Sequence, residues 1–292
     1  MTQLALILVL LAALAHATWN FLLKRATNQE VFTWWLRLGI GVLLFPLAIA
    51  LLWQQHSFTY LDICFILGRA LLETIYFMFL GRSYANGELS LTYPVARGVG
   101  PALAPVLGVL VLHETVAPQA IAGIMCVVLG IYTLYWWGRL PQILADPFKF
   151  LRERGTRYAL LTGMVIAVYS VWDKVAVAEV NPFLYMYLFS LASGIIFTPY
   201  VIKRYGWRVT LTEWRIDFKG IIACAILSFL AYGMILTALQ FSRVSYIAPA
   251  REISIVVGAL LGIIVLKERF GKGRLIGSCL IVTGLALIAV AP

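Results

Sequence analysis

The sequence predicts an all-α membrane protein, with ten transmembrane helices arranged as two inverted five-helix repeats around a central cavity. Three observations carry that prediction. Of the 292 residues, 62% are apolar and only 12% are charged, a balance outside the range of soluble globular domains. Apolar runs of about 20 residues recur along the whole length, each long enough to cross a bilayer as a helix, and no alternating pattern supports the strands of a barrel. Finally, the two halves of the chain repeat one another. An offset of 154 residues carries Arg97 onto Arg251, Gly108 onto Gly262, Glu114 onto Glu268, Gly123 onto Gly277 and Gly130 onto Gly284, and an offset of 153 carries Trp19-Asn20 onto Trp172-Asp173. An odd number of spans per repeat turns the second copy upside down. Many secondary transporters follow this plan and place the substrate near the midplane between repeats.

The first repeat, residues 1–137, holds spans at 3–23, 31–53, 62–84, 90–112 and 117–137. The first span ends in Ala15-His16-Ala17, a pattern of the signal-cleavage type. It lacks a basic leader, however, and Lys24-Arg25 follow it, so it reads as an uncleaved helix. Polar punctuation at Gln54-Gln55-His56-Ser57 and at Asn86-Gly87-Glu88 separates the next spans. The fourth carries Tyr93-Pro94-Val95-Ala96-Arg97-Gly98, then Pro101 and Pro105. Residues 138–156 form a linker whose stretch 148–152 has the composition of an interfacial helix. The second repeat, residues 157–292, holds spans at 157–178, 183–203, 218–241, 244–266 and 272–290, with Pro249-Ala250-Arg251 in the ninth. The four prolines of spans four and nine are expected to break the backbone ladder and supply hinges. Glycines seven apart, Gly123 with Gly130 and Gly277 with Gly284, predict a close seam between spans five and ten, within a monomer or between the copies of a homodimer.

The formal charge of +10 does not indicate nucleic acid, because the basic residues crowd into short loops beside apolar segments. Lys24, Arg25, Arg82, Arg139, Lys149, Lys203, Arg204, Lys219, Lys267 and Arg274 fall on one side, against Arg243 alone on the other. This bias places the chain in a bacterial inner membrane with both termini periplasmic. Cysteines and histidines are scattered, without metal-ligand or disulfide spacing. No metal or cofactor is expected. Without a clustered ligand set or a serine nucleophile with partners, the chain is not expected to be an enzyme.

Function is sought in the polar groups within the spans, since an intramembrane ionisable residue is expensive and marks a candidate site. Arg97 and Arg251 are the primary candidates, with Tyr93 and Tyr246 as hydrogen-bonding neighbours. Arg97 lies roughly 10 Å from its end of the membrane at 1.5 Å per residue, and Arg251 is as deep from the opposite end. His16 and Asn20 share a helix face beside Trp19; Arg69 and Glu73, four apart, are expected to pair within one helix. Trp172 and Asp173 repeat Trp19 and Asn20. Glu73, Glu252 and Asp173 are candidates to carry a coupling proton. Counting Arg69, Arg97, Lys174 and Arg251 against Glu73, Asp173 and Glu252 leaves one cation in excess, which favours an anionic or zwitterionic ligand.

The Tyr-Pro-Val-Ala-Arg-Gly run, then Leu112-His113-Glu114 and a glycine-spaced fifth helix, is echoed by Pro249-Ala250-Arg251, Leu266-Lys267-Glu268, Gly277 and Gly284. In these motifs nearly the whole chain resembles the EamA-type members of the drug/metabolite transporter superfamily. The resemblance implies a ten-helix basket in which four helices of each repeat line a cavity and the fifth helices pack outside. It also implies a small-molecule substrate, and the Tyr-Pro-Val-Ala-Arg-Gly variant is similar to that of relatives suspected of handling phosphonates. Relatives are usually drawn with cytoplasmic termini, opposite to the loop charges here. A lipid-phosphate flippase and an exporter of amphipathic organic cations are the alternative readings.

Overall fold

A computed structural model describes residues 1–55, 58–87, 89–138, 152–266 and 271–292, without the side chains of 89–91 and 266. Residues 148–151 of the proposed interfacial helix, and Lys267 and Glu268 of the second-repeat motif, lie outside the described residues.

Among the described residues eleven helices follow one another: α1 (Gln3–Leu23), α2 (Gln29–Leu43), α3 (Phe45–Gln54), α4 (Tyr60–Asn86), α5 (Leu89–Leu112), α6 (Pro118–Trp136), α7 (Arg154–Glu179), α8 (Pro182–Phe241), α9 (Val244–Ala250), α10 (Ile253–Leu266) and α11 (Lys272–Val290). The ends are signalled locally. Thr2 and Asn28 cap α1 and α2 by accepting backbone N–H groups, and Thr59 with Asp62 forms a capping box at α4.

Ten spans emerge once two departures from the prediction are recognised. The second span is bent by 58° between α2 and α3, where Pro46 cannot donate to the carbonyl of Val42. Helix α8 is 60 residues long and is two spans joined through a helical connection, interrupted by non-helical backbone at Gly206 (φ 74°) and Asp217. Only Gly206 needs a residue without a Cβ.

Apolar side chains cover the outside. Leu4, Ile7, Leu11 and Leu14 on α1 are each about half exposed, at helical spacing, a stripe that water would penalise and lipid solvates.

The packing follows an inverted two-fold. Helix α1 lies against α8 and α10, while its repeat counterpart α7 lies against α4 and α5. At the periphery α6 and α11 cross tightly. A Cβ on Gly123 would meet the Gly284 carbonyl oxygen at 2.7 Å, and one on Gly130 would meet that of Gly277 at 2.8 Å. The 154-residue offset exchanges these two pairs, as a two-fold through the seam requires. The predicted glycine seam thus lies within one chain.

Of the prolines expected to break spans four and nine, only Pro249 does so; α5 runs unbroken through Pro94, Pro101 and Pro105. Close packing on α7 holds it straight: a Cβ on Gly100 would meet Ile166 at 2.5 Å, and one on Gly163 would meet Val99 at 2.5 Å.

Replacing Gly284 by Ala should therefore lower stability by about 1–3 kcal/mol, the usual cost of overpacking. Gly258→Ala, where an added Cβ meets nothing within 4 Å, should leave it unchanged. Thermal denaturation of the detergent-solubilised variants reads the difference.

Candidate functional site

Ionised groups inside a bilayer must find partners within the protein, and here they converge from both repeats. Arg69 on α4, 2% exposed, donates to Glu73 Oε2 at 2.5 Å and to the Tyr232 hydroxyl at 3.1 Å, and its Nε lies 3.0 Å from Asp173 Oδ1. Its guanidinium carbon also stands 4.1 Å from the ring centroid of Tyr169 and 4.5 Å from that of Phe189, so aromatic faces cover what the carboxylates leave. Glu73 is bracketed by a second cation, Arg37 from α2, which in turn donates to Ser190 at 3.3 Å. Asp173 accepts from Tyr185 at 2.9 Å and from Tyr232 at 2.5 Å. The expected Arg69–Glu73 pair is thus one edge of a network tying α2, α4, α7 and α8 together.

A second group adjoins the first through Tyr169. Arg251 and Glu252 occupy the interruption between α9 and α10. There Pro249 lacks an N–H, and the backbone tightens to i,i+3 hydrogen bonds: Glu252 N–H to the Pro249 carbonyl at 3.1 Å, Ser254 to Arg251 at 3.2 Å and Ile255 to Glu252 at 2.9 Å. Glu252 is 1% exposed and is shared. Its Oε1 lies 3.3 Å from Arg251 Nε and its Oε2 lies 3.1 Å from Arg97 Nη2. Arg251 Nη2 also reaches the Tyr169 hydroxyl at 3.4 Å. Arg97 Nε is buried with no hydrogen-bond partner among the described residues.

Arg97 faces a cavity of about 200 Å³ lined also by His16, Asn20, Tyr93, Tyr135, Ser254 and Arg274. Asn20 near the end of α1, Tyr93 in the first turns of α5, Tyr135 near the end of α6 and Arg274 at the start of α11 all lie at one end of the bundle, the end with the basic loops. The opposite end is tied shut. Glu114, beyond α5, accepts the backbone N–H groups of Val244 and Ser245 at 2.8 and 3.0 Å. The Tyr246 hydroxyl accepts from Ala117 N–H at 3.2 Å and donates to the Pro292 carbonyl at 3.0 Å.

His16, Asn20, Tyr93 and Arg97 therefore line one cavity, with Glu252 linking Arg97 to Arg251. Tyr246 does not join them. It closes the far end, because it sits about a turn and a half before Arg251, on the other side of the helix break. Trp172 donates to the Phe65 carbonyl at 2.9 Å and fills the space over Gly68, and Trp19 donates to His16 Nδ1 at 3.3 Å rather than reaching the cavity itself. Arg69 and Glu73 are enclosed in the network and do not line the cavity. Lys174 leaves the charge count, since its ammonium caps the carbonyls of Leu239 and Ser242 at 2.5 and 3.0 Å. Arg37 replaces it, so the excess of one cation stands on a different residue. Arg37 carries the same signal as Arg97, an arginine in an apolar run, and was open to the same reasoning; Tyr135 and Arg274 enter only through the fold.

The profile of the EamA-like transporter family matches residues 3–136 and again residues 154–290. The chain belongs to the EamA-like transporter family. It is thereby a multi-pass membrane transporter of the drug/metabolite transporter superfamily, whose members are transporters rather than enzymes, with a small molecule as substrate. A crystal structure of a protein 17% identical in sequence superposes with a TM-score of 0.71 over 98% of this chain and 97% of that one, a likeness of fold. No curated protein gives a significant match.

Breaking the enclosed network should cost far more than altering this EamA-like transporter's cavity. Arg69→Met leaves the buried Asp173 without its cation, Glu73 keeping only Arg37, and should destabilise by about 3–5 kcal/mol. Arg97→Gln leaves Glu252 paired with Arg251 and keeps an amide donor at the same position, so it should cost clearly less. Parallel thermal unfolding of the two variants measures the contrast.

Proposed function

We propose that this protein is a secondary transporter that moves a small anionic or zwitterionic metabolite, phosphate- and phosphonate-bearing compounds included, across the inner membrane by alternating access. The observation that carries the reading is Arg97, a guanidinium at the wall of the cavity whose Nε has no hydrogen-bond partner among the described residues. Guanidinium groups bind carboxylate and phosphate through paired hydrogen bonds. The excess of arginines over carboxylates favours a ligand that brings its own negative charge. Size argues for a small ligand: about 200 Å³ lies below the range of drug-sized sites. An exporter of organic cations would want a lone carboxylate. Glu73, Asp173 and Glu252 instead each have an arginine against them.

Glu252 supplies the coupling in this reading. As the shared partner of Arg97 and Arg251, it stands in for the anionic group of an absent substrate. A proton taken up on Glu252 frees both guanidiniums, so that one anion and one proton travel together. With the basic loops retained in the cytoplasm, this reading takes the cavity as facing inward and both termini as periplasmic.

Thermal-shift titration with methylphosphonate, phosphoserine, glutamate and tetraethylammonium tests the ligand class. An anion should stabilise the wild type, and Arg97→Gln should weaken its binding about 10- to 100-fold, the loss of a charge-assisted hydrogen bond worth ~1.5–3 kcal/mol. Stabilisation by tetraethylammonium alone, unchanged in Arg97→Gln, would refute the assignment. In proteoliposomes the wild type should carry protons with its substrate, whereas Glu252→Gln should exchange substrate without acidifying the lumen.

A further inference from the structure

The second cavity described in the protein is a remnant of about 10 Å³, lined by Ser170, Asp173, Tyr232, Ile247 and Arg251 among others, with room for about one water. Its lining is related to that of the large cavity. The offset of 154 carries Tyr93 onto Ile247 and Arg97 onto Arg251, and the offset of 153 carries His16 onto Tyr169 and Asn20 onto Asp173. Ile247, Asp173 and Arg251 line the small cavity, and Tyr169 touches Arg251 at 3.4 Å. Two cavities of very different volume are thus built from equivalent positions of the two repeats, and along α9–α10 their lining residues come from before and after Glu252.

We propose that the small cavity is a collapsed second anion half-site, which opens to the opposite compartment when the Arg97 cavity closes and in which Arg251 takes over the substrate's anionic group. This rests on the transporter reading above and adds a location to it. The half-sites are not identical. The far one carries Ile247 where the near one has Tyr93, and Asp173, bound by Arg69, Tyr185 and Tyr232, where the near one has the neutral Asn20. The far half-site therefore exchanges the Tyr93 hydroxyl for that of Tyr169, which stands where the near one has His16, and adds a carboxylate nearby. It holds the anion less tightly and favours release on that side.

The pairing also dictates what keeps the far site shut. Glu114, fastened to the start of α9 through Val244 and Ser245, must let go for Ile247 to become accessible.

Cysteine accessibility tests the half-site without a known substrate. In a background with Cys64, Cys126, Cys224 and Cys279 replaced by Ser, Ile247→Cys is treated in oriented vesicles with the anionic reagent 2-sulfonatoethyl methanethiosulfonate and with the small neutral reagent methyl methanethiosulfonate. The anionic reagent should modify it only from the side of the termini. Adding Gly258→Trp, at a lining position of the near cavity where an added Cβ meets nothing within 4 Å, should wedge that cavity open and slow the modification at least tenfold. Arg251→Gln should slow the anionic reagent about tenfold while leaving the neutral one unchanged. Should Ile247→Cys fail to fold, Ser170→Cys reads the same cavity. A cysteine unreactive from both sides, a rate indifferent to the wedge, or an equal effect of Arg251→Gln on both reagents would overturn the proposal. Because no substrate is used, such a failure would leave the Arg97 ligand assignment standing, and a failure of ligand binding would leave this one.

Discussion

A guanidinium in hydrocarbon has no solvent to fall back on, and the arrangement of this bundle follows from satisfying Arg69. Two carboxylates, a phenol and two aromatic faces are gathered around it from α4, α7 and α8, and the second cation on Glu73 brings in α2. The partners come from both halves of the chain. The charges therefore do more than neutralise one another: they fix the halves in register at mid-bundle, where apolar packing against lipid-like neighbours gives little orientation. Replacing such a network with apolar groups need not cost stability, so its retention points to geometry rather than strength.

Against that enclosed centre, the pair Arg97 and Arg251 is left short of negative charge. One carboxylate, Glu252, serves both, and it does so from a stretch of backbone where a proline has removed the regular ladder. Rigid and adjustable parts are separated accordingly. The glycine crossing of α6 with α11 admits no side chain between the backbones and resists sliding. The α9–α10 interruption has short-range i,i+3 bonds that can be exchanged at small cost. The asymmetry between repeats is physical as well: α5 keeps three prolines inside a continuous helix because α7 presses on Gly100, whereas the second-repeat counterpart is broken.

The near end of the bundle opens around Arg97, and the far end is fastened by Glu114, Tyr246 and the chain termini. These ties are backbone-directed and local. Inverted repeats make the two ends chemically comparable, so one set of contacts can be traded for another without disturbing the arginine network between them.

Much of this was legible in the residues themselves. Hydrocarbon length and backbone satisfaction dictate helices of about 20 apolar residues, and an offset that aligns Arg, Glu, Trp and paired Gly reveals the duplication and the α6–α11 seam. The Arg69–Glu73 pair is a local i,i+4 contact and needed no fold to be read. What the tertiary structure alone decided are the long-range assignments. It showed that Asp173 and Tyr232 complete Arg69, that Arg37 rather than Lys174 enters the charge balance, and that Tyr246 seals an end while Tyr135 and Arg274 line the cavity. It also showed that one glutamate answers two arginines. A sequence records which helix face a side chain occupies, because periodicity is local; which other helix that face meets depends on crossing angles, breaks and depth, and only the assembled bundle sets those.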